Sequence, residues 1–99
     1  ISDFTKAIKI NPNKADYFYN RGLAKAYSED FYSAIDDFSE SIKLDPLSGD
    51  SYTNRALSNL KLKNYVSTCS DFKKAVELGD YPRSWFLKNK KFCDKYLSR

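Results

Sequence analysis

Apolar positions along this chain recur on a helical period, and the helices recur on a longer one. Phe31, Ala34, Ile35, Phe38 and Ile42 are spaced by three and four residues, the stripe of an amphipathic helix over 31–44. The same spacing predicts helices over 2–10, around Phe4, Ala7 and Ile8, and over 15–28, around Phe18, Gly22 and Leu23. A fourth ends near residue 62 and presents Tyr52, Ala56 and Leu60, and a fifth covers 65–77 with Tyr65, Cys69, Phe72 and Val76. The last runs over 82–97, with Phe86, Cys93 and Leu97 on one side and Trp85, Phe92 and Tyr96 beside them. Between the helices, Asn11-Pro12 and Asp45-Pro46 act as stops, because a residue before proline avoids helical dihedrals. Glu29-Asp30 and Lys63-Asn64 read as turns, with Asp30 the expected cap of the third helix and Ser48 or Asp50 that of the fourth. Gly79 suits a left-handed residue just past a helix end.

The longer period is 34 residues. Phe4, Phe38 and Phe72 follow it, each preceded by aspartate (Asp3, Asp37, Asp71), and so do Ile10, Leu44 and Leu78. Phe18, Tyr52 and Phe86 keep the same step, as do Asn20 with Asn54, Arg21 with Arg55, and Phe31 with Tyr65. A fixed period of this length means a stack of like helical units, each burying its apolar face against the next. No linker or low-complexity stretch interrupts it, so residues 1–99 are expected to form one domain. The expected divisions are a partial repeat over 1–14, repeats over 15–48 and 49–82, and a closing helix over 83–99. Because the chain begins partway through a repeat, it reads as a fragment of a longer protein.

These residues resemble the tetratricopeptide repeat. Residues 15–24, with Phe18 and the small Gly22 four positions on, are similar to that family's first helix; residues 31–38 are similar to its second, and 42–46 to its closing turn. The unit from Gly49 to Asp80 matches through Tyr52, Ala56, Tyr65, Phe72 and Ala75. Lys25 and Asn59 stand where the family has an aromatic, Glu29 and Lys63 where it has glycine, and Asp80 where it has proline. The resemblance implies an all-α, right-handed α-solenoid of antiparallel helix pairs. In such a solenoid Gly22 and Ala56 mark close helix approach, while Phe38 and Phe72 fill the space between units.

The resemblance also implies a function: a protein–protein interaction scaffold whose first helices line a concave groove for a peptide or partner helix. The expected groove residues are Tyr19, Asn20, Leu23 and Tyr27, then Asn54, Leu57 and Lys61, then Lys88 and Lys91. Asp16, Asp50, Thr53, Ser84, Leu87 and Lys95 lie in the same rows. Asn20 and Asn54 carry amides able both to donate to and accept from an extended backbone. Equally, these asparagines and their neighbours Arg21 and Arg55 could bond within the scaffold, and both readings stand. Family members that clamp acidic chaperone tails use five lysine, asparagine and arginine positions. Here only Asn54 and Lys88 fit, with Tyr19, Leu23 and Ser84 at the others, which counts against that subclass.

Charge adds a second possibility. Residues 1–82 carry 11 basic and 12 acidic side chains, whereas residues 83–99 carry Arg83, Lys88, Lys90, Lys91, Lys95 and Arg99 against Asp94 alone. A basic terminal helix is either a solvated outer face or a site for RNA or another polyanion. Against nucleic acid, the aromatics recur at core positions and the charge sits on one helix. No cofactor or metal is expected, since histidine is absent and the two cysteines are too few for a zinc site. Nor is an enzyme expected: there is no phosphate loop or nucleophile–base pair, and Asp36-Asp37 point in different directions, both toward solvent. Cys69 and Cys93 fall on apolar faces of stacked helices, where they would be buried and close. A disulfide needs geometry that spacing does not give, and an oxidising compartment. No apolar run reaches the ~18 residues of a membrane helix. Localisation is left open, with a lean to the cytoplasm. The first helix, lacking a partner on one side, is expected either to fray or to pair end to end with a second copy.

Overall fold

The computed structural model describes residues 2–79 and 88–97, and within them six α-helices and no strand. These are α1 (Ser2–Ile10), α2 (Ala15–Tyr27), α3 (Phe31–Leu44), α4 (Gly49–Lys61), α5 (Tyr65–Glu77) and α6 (Lys90–Leu97). The first five agree with the periodicity to within a residue or two. Of the expected 82–97 helix only the second half is described; Ser84, Trp85, Phe86 and Leu87 lie outside the described residues. Each helix packs on the next in sequence, and α2 also touches α4. Helix pairs stacked in order make an all-α solenoid.

The core lies at the repeat positions. Phe38 and Phe72 are completely buried, as are Ala34, Ala56 and Ala75. Gly22 is small for a steric reason: a Cβ there would stand 2.7 Å from Phe38 Cε1. Ser41 and Ser51, both buried, share a hydrogen bond of 3.0 Å between α3 and α4. Ser48 joins Ser51 at 3.2 Å rather than capping α4. Asp30 also occupies its cap position without a side-chain cap bond. Its ψ of 71° falls short of the extended conformation that aims a capping oxygen at the first helical amides. Asp50 lies inside the first turn of α4.

Glu29 and Lys63, where the related repeats carry glycine, adopt left-handed backbone, with φ of 62° and 63°. Both close a helix in the same way. The Asp30 amide donates to Lys25 O at 2.9 Å and the Glu29 amide to Ala26 O at 2.9 Å. The Asn64 amide reaches Asn59 O at 2.9 Å, and that of Lys63 reaches Leu60 O at 3.0 Å. The geometry is that of a helix end which glycine usually occupies. Gly79, after α5, has the expected left-handed φ of 79°.

Helix α6 is held to α5 by a disulfide between Cys69 and Cys93, with Cα atoms 5.3 Å apart. Both cysteines are fully buried, as expected; the bridge itself had been open from sequence. Around it Tyr65 on α5 meets Phe92 edge-on at 5.2 Å and Tyr96 at 5.7 Å.

Candidate functional site

Arginines on α2 and α4 build the frame of the site. Arg21 donates from Nε to Asp37 Oδ2 at 2.8 Å and from Nη2 to Asp37 Oδ1 at 2.7 Å, a bidentate pair across to α3. One period on, Arg55 grips Asp71 of α5 identically, at 2.8 Å and 2.8 Å. Each also reaches back to the preceding helix, Arg21 Nη1 to Thr5 Oγ1 at 3.3 Å and Arg55 Nη1 to Ser39 Oγ at 3.1 Å. The guanidinium groups lie over Phe18 at 5.7 Å and Tyr52 at 5.6 Å. Arg21 and Arg55 thus each tie their helix to the one before and the one after.

This corrects one expectation directly. Asp36 is exposed as expected, but Asp37 is only 4% exposed. It is held there by two cations, Arg21 and Lys25, whose Nζ lies 3.0 Å from Asp37 Oδ2. Burial alone would raise its pKa, but the hydrogen bonds from Arg21 and Lys25 outweigh burial and hold it below the ordinary carboxylate value. The same pairings raise Arg21 and Arg55 above their ordinary values. Lys25 therefore replaces the family's aromatic with a second cation on Asp37. Asn59, the equivalent one period later, is buried and donates to Arg55 O at 3.1 Å.

Between α2 and α4 lies a cavity of about 190 Å³, lined by Leu23, Ala26, Tyr27, Phe31, Asn54, Leu57, Ser58 and Lys61. Leu23, Tyr27, Asn54, Leu57 and Lys61 were expected from sequence. Tyr19 adjoins them through a 3.0 Å hydrogen bond from Asn54 Nδ2, and its ring lies 5.9 Å from that of Phe38. The same Nδ2 donates to Asp50 O at 2.9 Å, which commits both amide hydrogens of Asn54 inside the scaffold. Asn20 is half-buried and outside the lining; Lys88 and Lys91 are exposed and likewise outside it. Thr53, in the same sequence row, is buried rather than facing the groove. Sequence reading missed Ala26, one turn beyond Leu23, and Ser58, one turn beyond Asn54; both follow from helical spacing. Phe31 had no such signal, because it comes from the following helix.

A larger depression, about 400 Å³, lies among α3, α4 and α5, lined by Ile35, Ser39, Arg55, Asn59, Val66, Ser67, Ser70 and Asp71. Its charged groups are already paired with each other. The smaller cavity has the more suitable character: apolar walls with a few polar groups at the edge. Among the described residues no cluster of three metal-ligating side chains occurs, and no helix is long and apolar enough to cross a membrane.

Residues 15–46 match the family model of the tetratricopeptide repeat. No curated protein sequence matches the chain. Among solved structures, YrrB, a TPR protein with an unusual peptide-binding site, matches with a TM-score of 0.78 at 22% identity. The match covers 97% of this chain and 54% of YrrB, so the chain spans about half of that protein's length. At this identity the likeness speaks for the fold. Tetratricopeptide repeats are non-catalytic modules that present surfaces to other proteins. A 34-residue period, helix pairs stacked in sequence order and a matched repeat at 15–46 meet in one conclusion: the chain is an all-α solenoid that carries a tetratricopeptide repeat.

Proposed function

We propose that the scaffold binds an extended peptide or a partner helix in the groove between α2 and α4, with Leu23, Tyr27, Asn54, Leu57 and Lys61 as the central contacts. The supporting observation is the character of the cavity. Leu23, Ala26, Phe31 and Leu57 give it an apolar wall, and the exposed Lys61 puts a cation at its edge. Its volume of about 190 Å³ is well below the ~300 Å³ at which small-molecule sites usually begin. A single apolar side chain of a larger partner suits it better. Asn54 keeps its amide oxygen to accept from the partner, and Lys61 favours a carboxylate beside the apolar anchor. Tyr19, Asn20, Lys88 and Lys91 would extend the contact beyond the cavity. In this reading the working unit is one domain over 1–99, with repeats at 15–48 and 49–82 between a partial repeat at 1–14 and a closing helix at 83–99.

The test is fluorescence anisotropy with labelled peptides that pair one leucine or phenylalanine with neighbouring aspartates. Leu57 is 45% exposed, so Leu57→Glu leaves the core intact while placing a charge on the apolar wall. That variant should lose at least about tenfold in affinity, and Lys61→Glu a similar amount against acidic peptides. Affinity unchanged by both would remove the groove from the binding site. RNA or polyanion binding is the second reading, favoured by the exposed Lys88, Lys90, Lys91 and Lys95. It predicts steep salt dependence that survives Leu57→Glu.

A further inference from the structure

We propose that the depression among α3, α4 and α5 binds a primary alkylammonium group at Asp71, carried on a lysine side chain of a partner or on a free alkylamine. The argument rests on two carboxylates one period apart whose surroundings differ by one cation. Asp37 takes the fork of Arg21 at 2.8 Å and 2.7 Å, and then a second cation, Lys25, whose Nζ lies 3.0 Å from Oδ2. Asp71 takes the same fork from Arg55, at 2.8 Å on each oxygen, and no second cation among the described residues. Asn59 stands in the place of Lys25. It donates to Arg55 O on its own helix at 3.1 Å and accepts from Asn64 Nδ2 at 3.3 Å, so it is turned to the helix end rather than to Asp71.

The second unit also has the space that a lysine would need. In the first unit the Lys25 side chain is only 17% exposed, so its alkyl stem is largely covered on the way to Asp37. In the second, Asn59 is shorter, and Asn59 and Asp71 both line the depression of about 400 Å³. That volume lies within the usual range of ligand sites. Asp71 is 5% exposed, a buried carboxylate at the floor of an open site. Exposed Ser67 and Ser70 also line it and supply hydroxyl oxygens for the other ammonium hydrogens, while Ile35 and Val66 offer apolar surface to the methylenes. Ser70 replaces Asp36 of the first unit and Val66 replaces Tyr32.

The geometry selects ammonium over guanidinium. Both oxygens of Asp71 already accept one arm of Arg55, so a newcomer meets remaining lone pairs singly rather than a free carboxylate edge. An ammonium is a point charge with three separate donors, whereas a guanidinium gains its advantage from a fork. The arginine alongside does not bar a second cation, because Asp37 holds Arg21 and Lys25 together in the same arrangement. The site is distinct from the α2–α4 groove and opposite to it in charge preference, since Lys61 at that groove favours a carboxylate.

Backbone amide shift mapping of the 99-residue chain tests this with two probes, n-butylamine and a blocked glycine–lysine–glycine peptide. Saturable shifts should appear at Ser39, Asn59, Ser67, Ser70 and Asp71 with at least one probe. Saturation by the peptide assigns the site to a partner's lysine; saturation by butylamine alone assigns it to a free amine. Acetylating the amine of the probe that saturates should weaken its binding by at least about tenfold. Asn59→Lys, which gives the second unit the residue of the first, should do the same by filling the site from within. Ser70→Lys, at an exposed position that leaves the core alone, should also weaken binding at least about tenfold by placing a cation at the mouth. No saturable shift at these residues with either probe would overturn the proposal. Equal binding of the acetylated probe would overturn it, as would full affinity retained in either variant once folded.

Discussion

Asp37 shows how a charged residue can be a core residue. It sits between a phenylalanine and a solvent-facing aspartate, and its burial is tolerable only because Arg21 and Lys25 meet it in fixed geometry. Its folded pKa is depressed below the unfolded value near ~3.9, so the pairing stabilises the fold at neutral pH. That contribution should vanish as pH falls below about 4 and through the folded value. Asp37→Asn should therefore cost ~3 kcal/mol in urea denaturation at pH 7, and the deficit should shrink toward acid pH. A deficit that stays constant down to the acid limit would contradict the pairing. A residue-scale effect of the opposite sign is expected at Glu29 and Lys63. Both are held in left-handed backbone that glycine adopts without steric cost, so Glu29→Gly and Lys63→Gly should each stabilise by ~1 kcal/mol. A fall in thermal midpoint for both would mean that their side chains contribute contacts worth more than the strain.

At the scale of elements, the sequence placed helices better than it placed their bonds. Period and stops located five helices because amphipathic spacing and X-Pro breaks are local signals. Bonding of Arg21 and Arg55 within the scaffold was one of two open readings, but Asp37 and Asp71 were not legible as their partners although all four residues were visible on the period. Which side of α3 faces α2 depends on a packing rotation that spacing leaves free. The disulfide was similar: stacking brought Cys69 and Cys93 near, and only the backbone placement decided that they bridge. That bridge closes a separation of 24 residues, so Cys93→Ala in the oxidised protein should cost ~3 kcal/mol and raise exchange chiefly in α6. Equal loss across α2 and α3 would show that α6 is not an independently held element. Phe72→Ala, which truncates a completely buried ring, should cost ~3–5 kcal/mol in the same assay. A cost below about 1 kcal/mol would mean that the repeat register is wrong.

For the molecule as a whole, the repeated arginine links join α2 and α4 to the helices before and after them, and the proposed groove uses the cavity between those two helices. That Leu23, Tyr27, Asn54, Leu57 and Lys61 would fall together was legible from their helical spacing, and they line one cavity. For Asn54 the sequence left bonding within the scaffold open but did not name Tyr19 as the partner, since that bond joins residues 35 positions apart. The larger polar depression near Ser39, Ser67 and Ser70 had no sequence signal, because its lining comes from three helices. These two cavities make the central claim decidable in one measurement: backbone amide shift mapping during titration with an acidic, leucine-containing peptide. The groove reading predicts that the saturating shifts cluster at Leu23, Tyr27, Asn54, Leu57 and Lys61. Shifts clustered instead at Ser39, Ser67 and Ser70, or along Lys90–Leu97 alone, would contradict it.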